Sequence, residues 1–168
     1  MNSPFMGDFY VSQCYRPGTH NGLDIVAISS TDIHSTVKGT VEYSGWQNND
    51  NHYEGFGLYV CVRTEYKNKP AFVYFGHLSE TFVKTGDKVE ITQKIGIQGS
   101  TGNSTGPHCH YEIRRGFFKG ATVVDPCEFS GIENIEFKTQ NDGYNPSPLP
   151  ENCKITKTPG KNEIIITW

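Results

Sequence analysis

Six histidines stand in this chain, His20, His34, His52, His77, His108 and His110, and three of their settings have spacings that metal chemistry uses. In His108-Cys109-His110 two imidazoles are two residues apart. Residues i and i+2 of a strand share a face. His108 and His110 therefore point the same way as Glu112 and Arg114, while Cys109, Tyr111 and Ile113 point toward a core. In His20-Asn21-Gly22-Leu23-Asp24 an imidazole and a carboxylate lie four apart across an Asn-Gly bend, which can swing His20 back so that both reach one ion. In Tyr74-Phe75-Gly76-His77-Leu78-Ser79 a histidine closes an aromatic strand beside a glycine, a place at the rim of a cleft. A catalytic zinc takes three N or O ligands and keeps a position open for water, whereas a structural zinc is usually closed by four ligands, often thiolates. Each setting alone also suits ordinary surface, turn or backbone-bonded histidines. His34 and His52 match no such pattern and read as surface histidines.

The elements that must position these groups read as short strands. Gly57–Thr64 and Ala71–Gly76 are β-branched and aromatic, Ser35–Ser44 alternates around a glycine, Leu23–Ile28 is an apolar strand, and His108–Arg114 is a strand with the histidines on one face. Glu65–Pro70 is polar and reads as the loop of a hairpin that makes its flanking strands antiparallel neighbours. Thr85–Val89 and Ile95–Gly99 are short strands punctuated by glycine, and Ser100–Pro107 is a small-residue loop feeding the H-x-H strand. No amphipathic helix is expected, at most one turn at Thr81–Thr85. Asn48–Glu54 reads as an exposed loop over the cleft, Tyr15 and Arg16 as candidates for its rim, and Asp125 as a turn residue before Pro126. With 18 glycines, 9 prolines, 9 tyrosines and 10 phenylalanines in 168 residues, the fold class expected is all-β, a compact antiparallel sheet domain.

The catalytic domain is expected over residues 1–131. Composition then turns to Asn, Asp, Gly and Pro, and 132–152 reads as a linker ending in Pro146-Ser147-Pro148-Leu149-Pro150. Residues 153–168 read as two strands about Pro159-Gly160, too few to bury a core alone. They weakly resemble the opening strands of a fibronectin type III module that stops early. A net charge of −3 with no basic run gives no footing for nucleic acid. No stretch nears the roughly 20 apolar residues of a membrane span, and the first twenty residues lack a secretory signal pattern. Five cysteines without a C-x-x-C suggest mostly reduced thiols rather than a disulfide framework or thiolate cluster.

Taken in order, H-x-x-x-D, G-H-L-S, a glycine-rich loop and P-H-x-H resemble the lysostaphin-type (LytM-like) zinc metallopeptidases. The resemblance runs from about Phe5 to Phe129, and includes the turn-rich stretches Val83–Val89 and Ile95–Gly102. It implies a zinc ion held by His20, Asp24 and His110, with His77 and His108 as the non-ligand histidines on the open side. It also implies a small antiparallel sheet with a narrow groove between loops, and as substrate the peptide cross-links of bacterial peptidoglycan, either glycine bridges or D-amino-acid stem peptides. Zinc would polarise the scissile carbonyl and make hydroxide available near neutrality. One of His77 and His108 would take the water proton and pass it to the leaving amine, the other would bond the oxyanion, in an order the sequence leaves open. A monomer acting at the cell wall is expected, as a phage-encoded lysin or a wall-penetrating piece of a larger virion protein. Three rivals remain: an inactive relative that binds or regulates at the wall, a surface-binding protein with a structural metal, and a cysteine hydrolase built on Cys109. Strand parity disfavours the last, because it turns Cys109 away from both flanking histidines.

Overall fold

The structure, a computed structural model, describes residues 2–117, 120–142, 154–157 and 164–167. Its frame is the hairpin of β5 (Leu58–Tyr66) and β6 (Lys69–Thr81), the longest strands. Only Lys67 and Asn68 separate them, both with positive φ, 52° and 56°. That is the two-residue turn whose twist matches the flanking strands, so the expected polar loop is a tight turn within Glu65–Pro70. Around this pair stand β1 (Asp8–Gln13), β2 (Leu23–Ala27), β3 (Asp32–His34), β4 (Gly39–Trp46), β7 (Lys88–Val89), β8 (Lys94–Gln98), β9 (Cys109–Arg114), β10 (Val123–Val124) and β11 (Thr139–Asn141). They form one sheet in the order β11-β1-β2-β9-β6-β5-β4-β7; β10 pairs with β9, and β8 joins β3 to β6. Every pairing between these strands is antiparallel. The all-β antiparallel expectation is therefore met.

One face of the central strands makes the core. Leu23, Ile25, Val60, Val62, Val73, Phe75, Cys109, Tyr111 and Ile113 are fully buried in it. Each large side chain withdrawn this way contributes about 1.5–3 kcal/mol. Tyr111 keeps its hydroxyl satisfied on Thr36 Oγ1 at 2.9 Å. Parity along β9 is as read from the sequence: Cys109, Tyr111 and Ile113 face the core, His110 and Glu112 the opposite side. That opposite side is not solvent, since Glu112 is only 2% exposed.

Two readings need correction. Residues 132–142 are packed on the domain rather than linking it onward: Ile132 and Gln140 are buried, and β11 pairs with β1 through Phe9 and Gln140. Two anchored side chains outweigh a turn-rich composition here. A helix, α1 (Pro126–Ser130), is also present, too short for any periodic signal, with Asp125 capping it by accepting from the amides of Cys127 and Glu128. No helical turn forms at 81–85. Of the expected tail strands, β12 (Lys154–Lys157) and β13 (Ile164–Thr167) pair antiparallel; the Pro-rich stretch before them and the Pro159-Gly160 turn lie outside the described residues. Cys14, Cys61, Cys109 and Cys127 are free thiols.

Candidate metal centre

Register builds the site. In the β2–β9 pairing Asp24 stands directly opposite His110, and in the β6–β9 pairing His110 stands opposite Gly76. His20 arrives from a tight turn closed by two backbone bonds between Arg16 and His20, 2.9 Å each, and its ring meets that of His110 edge-on at 5.1 Å. The chain can pass this close only because residue 22 is glycine. A Cβ there would sit 2.7 Å from both His110 Nε2 and the Tyr111 carbonyl. His20, Asp24 and His110 each offer one ligand atom, all within 4.8 Å of one another.

His77 reaches the site differently. It does not end a strand, because β6 continues four residues beyond it to Thr81. Between the pairs Val60–Phe75 and Leu58–Leu78 the strand β6 carries one residue more than β5, a β-bulge that re-aims a side chain. Phe75 and Leu78 both remain in the core while His77, at φ 63°, turns into the groove. Its ring lies 4.7 Å from that of His108 and 5.9 Å from that of His110. All five sequence-selected residues thus meet in one place. His34, half-buried in β3, is elsewhere; His52 stacks on Trp46 at 3.6 Å. Tyr15 packs against the core and Arg16 pairs outward with Glu136 at 2.8 Å, so neither lines the groove.

Backbone carbonyls fix three ring orientations. The Nδ1–H of His20 donates to Cys14 O (2.8 Å), that of His77 to Thr101 O (2.7 Å) and that of His108 to Gly106 O (2.8 Å). A carbonyl only accepts, so each ring keeps its proton on Nδ1 and turns the Nε2 lone pair inward. The Nε2 atoms of His20 and His108 lie 3.2 and 3.5 Å from Asp24 Oδ1. His110 is held the other way round. Its Nδ1 is 2.8 Å from Asp24 Oδ1, and its Nε2 is 3.0 Å from Glu112 Oε2. Glu112 is in turn held by Arg114 Nε at 2.5 Å. A carboxylate behind a ligating imidazole orients it and raises its basicity.

The metal-free electrostatics follow. Burial works to raise the Asp24 pKa, but the close imidazoles of His108, His110 and His20 prevail and hold it far below the usual carboxylate range. Burial works against a charged His110, yet Asp24 and Glu112 lift its pKa to about 9. Burial, helped by His108 and His110, pushes His77 down to about 4. Three near ligands of N and O type, no thiolate beside them, and outer bonds that aim their lone pairs inward are what zinc with an open position requires.

The site opens on a groove of about 780 Å³ lined by Asn103, Ser104 and Thr105 and by Phe56, Tyr59, Tyr74, Arg114 and Phe117. Its walls are tied to each other: Gly102 N donates to His52 O (2.8 Å) and Asn103 N to Gly55 O (2.9 Å). Thr101 is the hub. Its carbonyl holds His77, while its hydroxyl accepts from Leu58 N (3.0 Å) and donates to Leu78 O (2.8 Å). Neither Thr101 nor Glu112 was singled out from sequence. Parity had put Glu112 on the histidine face, but an acidic side chain there reads equally well as solvated.

The family model described as peptidase family M23 matches residues 18–126. The chain is 32% identical over 131 residues to the glycyl-glycine endopeptidase ALE-1 of Staphylococcus capitis, covering 76% of this chain and 34% of that one. It is 36% identical over 107 residues to the peptidoglycan DD-endopeptidase ShyC of Vibrio cholerae, covering 63% and 23%. It thus spans about a third or less of these relatives' length. Among solved structures, the lysostaphin catalytic domain of Staphylococcus simulans superposes with a TM-score of 0.59 at 30% identity, covering 74% of this chain and 92% of that one. The catalytic domain of a prophage-encoded M23 protein from Enterococcus faecalis gives 0.56 at 32% identity, covering 75% and 92%.

Proposed function

This chain belongs to peptidase family M23, and from that premise we propose that it is a zinc metalloendopeptidase cutting peptide cross-links of bacterial peptidoglycan. The observation that carries the reading is the meeting of His20, Asp24 and His110 within 4.8 Å, faced by His77 and His108. Relatives named as endopeptidases of peptidoglycan or of glycyl-glycine bonds support the substrate class, and the prophage-encoded neighbour supports a phage origin. The set of five residues is complete, which speaks against an inactive wall-binding module.

His20 through Nε2, Asp24 through its carboxylate and His110 through Nδ1 would hold the metal. Bound there, zinc supplies Lewis-acid polarisation of the scissile carbonyl and a lowered pKa for water. The remaining work falls to the chain itself. His77 and His108 present inward-facing Nε2 lone pairs, fixed by the carbonyls of Thr101 and Gly106. Burial holds His77 neutral at ordinary pH, so it accepts a proton from water and returns one to the leaving amine. Carrying that proton, the His77 ring can donate to the developing oxyanion before the proton passes to the amine, and His108 would take the same role if it were the one to accept the water proton.

The test measures zinc content, wall turbidity and newly released amino groups for the native chain, His20→Ala and His108→Ala. Native cleavage is expected, abolished by chelation and restored by zinc. His20→Ala should lose metal and activity, while His108→Ala should keep metal and lose activity. A native chain that binds zinc and cuts no wall preparation would sink the peptidase reading.

A further inference from the structure

We propose that Arg114 is a carboxylate anchor in the groove, and that it selects stem-peptide cross-links bearing a free carboxylate over neutral oligoglycine bridges. The proposal rests on the endopeptidase reading above and deepens it. Relatives named for both kinds of bond leave that choice open, and the groove of this chain carries its own indication.

Arg114 and Asp24 are the only formally charged side chains, histidines aside, among the described residues that line the groove. Asp24 is committed to three imidazoles. Arg114 is not fully committed. Its Nε donates to Glu112 Oε1, but Glu112 divides its carboxylate between Arg114 and His110. Among the described residues the two terminal amino groups of the guanidinium donate no hydrogen bond. This guanidinium, in a wall otherwise aromatic at that end, thus keeps two donors free for a ligand in the groove.

The group is also held rigid, as an anchor must be. Its Cζ lies over the Tyr74 ring at 4.9 Å and the Phe56 ring at 5.4 Å, and Tyr74 is braced by ring contacts with Phe56 and Phe117 at 5.4 and 6.1 Å. A fork fixed on one edge and stacked on two rings loses little freedom when a planar carboxylate docks on its other edge. Position sets the distance. Arg114 is four residues along β9 from His110, about 13 Å at a strand's rise, and its side chain is drawn back toward Glu112. The open edge therefore lies within about two peptide residues of the metal ligands. Stem peptides with acidic residues carry free carboxylates along the chain, while the interior of an oligoglycine bridge has none.

The test uses three soluble peptides on the chain as purified: a cross-linked stem-peptide dimer, the same dimer with its carboxylates amidated, and pentaglycine blocked at both ends. The native chain should favour the acid dimer over the amide in kcat/KM by about ten-fold or more, the worth of one charge-assisted hydrogen bond. It should cut blocked pentaglycine at least as poorly as the amide. In Arg114→Gln the acid-to-amide ratio should fall to about one, and Arg114→Lys should keep part of it. A purely structural Arg114 would slow all three peptides alike and leave the ratio unchanged, which would overturn the proposal. So would equal cleavage of acid and amide by the native chain, a comparison that needs no variant to fold. If nothing is cut, the endopeptidase reading fails separately, and calorimetric affinities for the same acid and amide dimers decide the anchor by the same ratio.

Discussion

Replacing Glu112 with glutamine probes the outer partner of the metal centre with almost no change of shape. The native carboxylate accepts from His110 Nε2 at 3.0 Å and from Arg114 Nε at 2.5 Å, and its side chain is 2% exposed. A hydrogen bond to a charged group is worth about 1.5–3 kcal/mol and a neutral one about 0.5–1.5. Trading the first for the second behind a ligating imidazole should therefore cost about 1–2 kcal/mol of zinc affinity, five- to thirty-fold in Kd. Titration against a competing chelator at fixed pH measures this directly. Because the neutral amide would also leave Arg114 short of its counter-charge, a thermal melt of the metal-free Glu112→Gln protein should move down as well. Zinc affinity within two-fold of native, with an unchanged melt, would refute the outer-partner role and leave Glu112 as a mere counterion for Arg114.

Two further outcomes follow from the same geometry. Metal-free His110 keeps its proton up to about pH 9 because Asp24 and Glu112 flank it, so zinc at Nδ1 must displace that proton. Calorimetry near pH 8 in buffers of different ionisation enthalpy should show about one proton released per zinc from His110, in addition to what zinc-bound water gives up, with affinity rising with pH until His110 deprotonates on its own. Absence of proton release would contradict the ring assignment. Gly22→Ala puts a methyl 2.7 Å from His110 Nε2 and from a backbone oxygen. It should destabilise the fold by about 1–3 kcal/mol through overpacking, lowering both melting temperature and zinc content; a native-like melt with full zinc would show that the turn can simply move aside.

Much of the site was legible because it obeys simple periodicities. His108 and His110 share a face with Glu112 by the two-residue repeat, and His20 reaches Asp24 because Gly22 permits the close pass. The β5–β6 hairpin was legible from two aromatic runs around polar residues. What escaped notice did so for physical reasons. The orienting groups of three histidines are main-chain carbonyls of Cys14, Thr101 and Gly106, and every residue has a carbonyl. Glu112 takes its meaning from Arg114 and His110 together. The helix at Pro126–Ser130 is shorter than two turns and shows itself only in its Asp125-Pro126 start. Residues 132–142 carry a linker's composition, and it is the burial of Ile132 and Gln140 and the pairing of β11 with β1 that show they belong to the domain.

The extra residue in β6 has a consequence for how such chains diverge. A strand's in-and-out alternation has a phase, and the bulge at Gly76–His77 advances it by one step, so core residues on either side, Phe75 and Leu78, stand an odd number apart. His77 belongs to neither phase; it occupies the slip between them. A single-residue deletion there would let β6 pair with β5 without interruption, a more regular sheet that relieves a positive φ, and would carry the histidine out of the groove. Regularity of the strand and a histidine in the groove thus compete at this point. An odd spacing between two core residues around a Gly-His pair is the trace that the competition leaves in a sequence.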